Sequence, residues 1–348
     1  MTSIVKKKYG WELILDRTEK LPEVCMKKVA VIIPVSPHEN PEVILSSARE
    51  IKSLDYTDFT VKLLYSMDVD GEDERARILL KEDVDVLTRK SRGKRAGAIN
   101  DALQYLRDFN PDYVAIFDVD SSPQKNFIQE CVKALENDKR AYMASSRRYI
   151  SNPINFVSRT IEAEYYLMNF LLKGSAFKQF NGLIGVHRAE FLYQNELNEK
   201  VITEDADYAT RMHAKGYRAI LVFNTKNHEQ SPVTWADLFN QRKRWYYGGL
   251  QLWRYREDVR KSESKRFVLS WTAAMVFTYI IILFLPFILL SPFVLVYYSR
   301  KLSRRVHFSV IVGLALHVVL LQYSALVALS NFITRKDVEW KAMERMAE

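Results

Sequence analysis

DYVAIFDVD, residues 112–120, decides the reading of this chain. Tyr113 to Phe117 form a continuous apolar run of the kind a strand buried on both faces shows, and the run ends on two carboxylates, Asp118 and Asp120, with Pro123 just beyond. Upstream, KKVAVIIPV (27–35) is a similar run ended by Pro34 and Pro37. FTVKLLYSM (59–67) is another, and it runs into the acidic turn Asp68-Val69-Asp70-Gly71. Helices are expected at 42–54, 72–80, 95–108 and 124–137, and shorter strands at 83–88 and 141–147. This alternation implies an α/β fold with a mostly parallel sheet covered on both faces. Ligands of such sheets bind beyond the carboxyl ends of the strands, where both acidic turns fall.

The chain has 348 residues, and 48% hydrophobic content hides a sharp split. Residues 267–299 and 306–334 carry no Asp, Glu, Lys or Arg, and each block exceeds the ~20 apolar residues that cross a bilayer as a helix. Two cysteines, Cys25 and Cys131, exclude a disulfide framework and a Cys-rich zinc module. MTSIVKKKYGWELIL has no apolar core of a secretory leader. The net charge is +9, and residues 241–266, just before the first apolar block, hold nine basic and three acidic side chains. Such a stretch belongs on the cytoplasmic side of the cell membrane against anionic lipid; no nucleic-acid recognition motif accompanies it. The expected organisation is an N-terminal extension (1–27), a catalytic α/β domain (28–233), an amphipathic interfacial helix (234–266), a membrane region of two or three spans (267–334) and a polar tail (335–348).

The second half of the body reads as a helix at 153–173, a Gly-containing loop or strand at 180–191, a helix opened by Thr203-Glu204-Asp205 and stopped by Gly216, and a strand at 217–223. Asp118 and Asp120 suit a hard divalent ion held against a diphosphate, and equally a solvated turn pair. Asp70 before Gly71 suits a contact to a nucleobase N–H or an ordinary turn, with Asp68 competing for the role. Lys94, Arg95 and Asn100 follow a basic run at a helix start, where cations do not offset the dipole; nucleotide contact and a solvated cluster both fit. Glu204 and Asp205 suit a general base, or acids favoured by a first turn for electrostatic reasons alone. In Gln241-Arg242-Lys243-Arg244-Trp245, helical spacing puts Gln241, Arg244 and Trp245 on one face, where Arg can clamp a diphosphate and Trp can stack on a sugar ring. The same pattern suits an interfacial aromatic with snorkelling cations.

AVIIPV, Asp70-Gly71, Arg95-Ala96-Gly97-Ala98-Ile99-Asn100, Asp118-Val119-Asp120, Thr203-Glu204-Asp205 and Gln241-Arg242-Lys243-Arg244-Trp245, in this order over residues 28–256, resemble the family 2 inverting glycosyltransferases, in the branch with cellulose, chitin and hyaluronan synthases. The resemblance implies a GT-A (Rossmann-like) fold, a UDP-sugar donor, Mg²⁺ or Mn²⁺ as cofactor and a glycan or lipid-linked acceptor. It implies Asp70 at uracil, Arg95 near the nucleotide, and Asp118 and Asp120 at the nucleotide-sugar and its metal. Asp205 would be the base, Arg244 would sit at the diphosphate, and Glu204, Gln241 and Trp245 at the acceptor. Membrane lipid is an expected partner, and the oligomeric state stays open. A membrane-bound nucleotidyltransferase and a tethered nucleotide-sugar sensor are the competing readings.

Overall fold

The computed structural model describes residues 4–7, 10–13, 26–69, 73–90, 93–283, 292–293, 296–297, 300, 308–336 and 338. A small antiparallel ribbon, β1 (Ile4–Lys7) with β2 (Gly10–Leu13), lies within the N-terminal extension. Then follow β3 (Lys27–Val35), α1 (Pro41–Lys52), β4 (Phe59–Asp68), α2 (Glu74–Lys81), β5 (Asp85–Arg89), α3 (Lys94–Tyr105), β6 (Tyr113–Ile116), β7 (Ser122–Pro123), α4 (Phe127–Glu136), β8 (Ala141–Ile150) and α5 (Phe156–Gly174). The body continues through β9 (Gly185–Arg188), α6 (Ala189–Gln194), α7 (Glu204–Ala214), β10 (Arg218–Glu229), α8 (Trp235–Gln251) and α9 (Arg256–Lys261). Two apolar helices follow, α10 (Lys265–Leu283) and α11 (Phe308–Ile333).

The sheet order is β5-β4-β3-β6-β9-β8-β10-β7. The first four strands are parallel, as are β8 and β10, but β9 runs antiparallel to both β6 and β8, and β7 is antiparallel to β10. The sheet is therefore mixed, with four of its seven pairings parallel. The reversal comes from β9, a four-residue strand entered from a tight 3₁₀ turn at Asn181–Leu183 instead of from a crossover helix. β6 stops at Ile116, so Asp118 and Asp120 stand in the loop beyond it rather than in the strand. Pro34 is inside β3, not past its end. The β3–β6 ladder ends at Ile32, so the proline's missing N–H deprives no neighbour. α1 starts where Pro41 takes the first helical position and the Asn40 side chain accepts from Glu42 N–H at 2.8 Å.

Two apolar layers hold the sheet: one under α1, α2 and α4 (Val29, Val31, Ile33, Tyr65, Phe117, Phe127), the other under α3, α6 and α7 (Ile32, Ile99, Leu103, Ile116, Tyr208, Met212). The expected long helix 234–256 ends at Gln251 and continues as a 3₁₀ turn, Leu252–Tyr255, before α9. The first apolar block begins as part of the body. Phe267, Trp271 and Met275 of α10 are buried against Ala206 and Ala209 of α7, and Trp271 Nε1 donates to Thr210 Oγ1 at 3.3 Å. Among the described residues one helix, Ser309–Ile333, is long and apolar enough to cross a membrane; the expected second and third spans are not shown. Pro286, which could divide the first apolar block, and residues 301–305 of the basic loop between the two blocks lie outside the described residues.

Candidate active site

The site lies where the loop after β6, the first turn of α3, the Asn181–Leu183 turn and the first turn of α7 meet. Gly182 is its hub. Its N–H donates to Asp205 Oδ2 at 2.7 Å, and its carbonyl accepts from Arg95 Nη2 at 2.5 Å. At φ +63°, a Cβ here would also lie 3.1 Å from Asp118 Oδ2, so only glycine combines this turn with this approach. Arg95 Nη2 is 2.9 Å from Asp118 Oδ1, and Arg95 Nε is 3.6 Å from Glu204 Oε1. Asp118, Arg95, Glu204 and Asp205, widely separated in sequence, therefore form one contact cluster.

Glu204 and Asp205 open α7, where the helix dipole favours acids. Thr203 occupies the N-cap position but its hydroxyl makes no cap bond; it is buried against Gly248 of α8, where a Cβ would come within 2.2 Å of it. This contact ties the Gln241–Trp245 helix to the acidic turn. Both Asp205 oxygens are oriented by backbone donors, Gly182 N–H and Ala206 N–H at 2.7 Å each. The pKa of Glu204 is pushed up to about 7, by burial first and then by Asp205, against the opposing pull of Arg95 and Arg244. Arg244 is thus close enough to α7 for its charge to be felt there.

Asp120 accepts from Gln230 N–H at 3.1 Å, which ties the acidic loop to the end of β10. There Glu229 is buried between Tyr165, whose hydroxyl donates to it at 2.6 Å, and Arg148, 3.1 Å away. Its pKa is raised by burial first; Arg148 and the Tyr165 hydroxyl oppose, and the charges of Asp120 and Asp118 add to the rise. Carboxylates crowded in this way suit a divalent cation. Among the described residues no group of three or more His, Cys, Asp or Glu is arranged to hold a metal ion.

Asp70 lies outside the described residues. Its competitor Asp68 is engaged by Arg89, whose Nε also donates to Asp101 at 2.7 Å. Asn100 braces a loop, bonded to Leu197 and Glu199 rather than aimed at the acidic cluster. Gln241, Arg244 and Trp245 are half-buried on one continuous helix, as their spacing predicts.

Sequence reasoning missed Arg242. Its guanidinium lies 4.1 Å over the Trp245 ring, covering one face, and its Nη2 donates to Glu164 of α5 at 2.5 Å. His317 of α11 is 3.4 Å from the same carboxylate oxygen. Arg148, Glu229 and Tyr165 were missed as well. The Asn181-Gly182 turn could have been found, since that dipeptide is a turn signal.

The family description "Glycosyl transferase family group 2" matches residues 113–329. A probable glucomannan 4-beta-mannosyltransferase of Oryza sativa subsp. japonica is 27% identical over 180 residues, 49% of this chain and 31% of that protein. Glucomannan 4-beta-mannosyltransferase 7 of Arabidopsis thaliana is 24% identical over 267 residues, 72% of this chain and 47% of that protein. The chain thus spans less than half the length of these curated relatives. Among solved structures, the mannosyltransferase PcManGT from Pyrobaculum calidifontis, in complex with GDP-Man and Mn²⁺, superposes with a TM-score of 0.58 at 17% identity, over 89% of this chain and 88% of that one, a likeness of fold.

Proposed function

Because the chain belongs to glycosyl transferase family group 2, we propose that it transfers a sugar, with inversion at the anomeric carbon, from a nucleoside diphosphate sugar to a saccharide acceptor. The observation that carries this reading is the hub at Gly182, where the proposed base, the diphosphate-side acid and a cation converge. Asp205 takes the proton of the acceptor hydroxyl as its oxygen attacks the anomeric carbon. The bond from that carbon to the diphosphate oxygen breaks, and the leaving group departs with the electron pair. Arg244 and Arg95 meet the charge that develops. Glu204, which keeps its proton to about pH 7, donates a hydrogen bond to a sugar hydroxyl. Trp245 stacks on the acceptor with the ring face that Arg242 leaves open, and Gln241 hydrogen-bonds beside it. Mg²⁺ or Mn²⁺, held by Asp118 and Asp120, would neutralise diphosphate oxygens. Asp70 would contact the base.

The sequence resemblance points to UDP-sugars; the names of the relatives make GDP-mannose a donor to test beside them. We place the body on the cytoplasmic face of the cell membrane, anchored by α11, because the basic stretch 241–266 precedes the apolar blocks. A screen for UDP or GDP release across nucleotide sugars, with Mg²⁺ or Mn²⁺ in detergent, tests the proposal. Release that needs an added saccharide and disappears in Asp205→Asn supports it; pyrophosphate release, or nucleotide binding without turnover of any donor, refutes it. A second reading, single transfer to a polyprenyl phosphate or lipid-linked glycan, is favoured by the exposed Leu167, Phe170 and Leu171 of α5 beside α11. Partition of labelled product into organic solvent separates the two.

A further inference from the structure

A groove of about 850 Å³ opens between the ends of β8 and β10 and the helix α5, apart from the Gly182 hub. Strand alternation separates the two places. On β8, Arg148 reaches Glu229 and Asn181, while its neighbours Arg147 and Tyr149 line the groove; on β10, Glu229 belongs to the hub side, and Lys226 and His228 to the groove. Glu162 is the one acid in the lining.

Arg147 and Lys226 rest on rings. The Arg147 guanidinium carbon is 6.0 Å from the Tyr149 ring and 5.7 Å from that of Phe223, and Lys226 Nζ is 6.0 Å from Tyr149. Arg147 Nη2 donates to the Phe223 carbonyl at 3.0 Å, whereas its Nε is buried with no hydrogen-bond partner among the described residues. Arg147 and Lys226, set in a concave, polar-lined surface, held by π faces and making no ion pair among the described residues, fit an anion.

The rim identifies which anion. Tyr166 lines the groove and also packs on Val310 and Leu314 of α11, the one helix among the described residues fit to cross a bilayer. One and two turns further along the same face of α5 stand Phe170, 58% exposed with its ring 5.8 Å from Tyr297, and Lys173, whose Nζ is 5.8 Å from the Phe223 ring. Leu171, 53% exposed, and Leu167 extend the apolar surface. A basic hollow bordered by aromatic and aliphatic side chains, continuous with a candidate span, matches a phosphate headgroup with hydrocarbon attached.

We propose that Arg147 and Lys226 bind the phosphate of an anionic bilayer phospholipid whose acyl chains lie along the exposed side of α5. This does not rest on the transferase reading, because binding is measured without donor or turnover. The probe is dioctanoyl phosphatidylglycerol added to the detergent-purified full chain and followed by native mass spectrometry. Dioctanoylglycerol, inorganic phosphate and a short polyprenyl phosphate serve as comparators. Expected are retention of phosphatidylglycerol over dioctanoylglycerol, weaker retention of inorganic phosphate, and a roughly 10- to 30-fold loss of affinity in Arg147→Gln/Lys226→Gln at low salt. Lys226→Gln alone, at an exposed position, should show part of that loss with an unchanged melting curve. Equal retention of dioctanoylglycerol, or undiminished binding by the double variant, overturns the proposal. Binding of polyprenyl phosphate alone also overturns it and makes the groove a carrier site.

Discussion

Glu204 gives the most exacting test of the site's electrostatics. In the unfolded chain it titrates near its ordinary value of 4.5; in the fold, burial and the neighbouring Asp205 carry that to about 7. Below pH 4.5 both states hold the proton and the residue contributes no difference. As pH rises through the window to 7, the native state keeps a proton that the unfolded state has released, so stability falls. At about 1.4 kcal/mol per pH unit, the penalty reaches about 3 kcal/mol above pH 7. Glu204→Gln never ionises, so it should leave the melting temperature near pH 4 almost unchanged. At pH 8 it should raise the melting temperature by roughly 6 °C, taking about 2 °C per kcal/mol for a body of this size. The assay is thermal unfolding in detergent without donor or metal across pH 4–8. A gain independent of pH, or a loss at pH 8, would show that Glu204 is not held protonated by its surroundings and would remove its assigned role as a donor.

Asp205→Asn should lower kcat by roughly 10²–10⁴-fold while calorimetric nucleotide affinity stays unchanged; equal losses in both would move the residue to the donor side. Gly182→Ala places a side chain at φ +63° against Asp118. It should cost about 1–2 kcal/mol in unfolding free energy and weaken donor binding more than Ala substitution at the unobstructed Gly249 of α8. Glu164→Gln strips the buried Arg242 of its ionic partner, with about 3–5 kcal/mol of destabilisation expected. If Arg242 also holds the indole in place, acceptor KM should rise more than donor KM, tryptophan emission should shift, and Glu164→Asp should recover part of each; a change in stability alone would leave Glu164 merely structural.

Much of the framework can be read from local pattern. The buried runs at 27–35 and 59–67 are strands to within a residue, and Asp118 and Asp205 follow from their positions after a strand and at a helix start. Their meeting at Gly182 is less legible, because glycine's role there depends on a turn geometry and a neighbour 64 positions away in sequence. The reversal of β9 escaped notice since a four-residue strand carries too little periodicity to show its direction. Arg242 lies inside the most specific motif, yet its partner Glu164, which also meets His317, comes from another helix, and no spacing rule encodes such a convergence. Apolarity alone also merged two different helices: α10 starts as a buttress of α7, whereas α11 lies along α5 and α8.

The touch between Gly248 and Thr203 makes α8 and α7 a single caliper. With no room even for a methyl group at that point, any side chain at position 248 would push the Gln241–Trp245 helix away from the acidic turn.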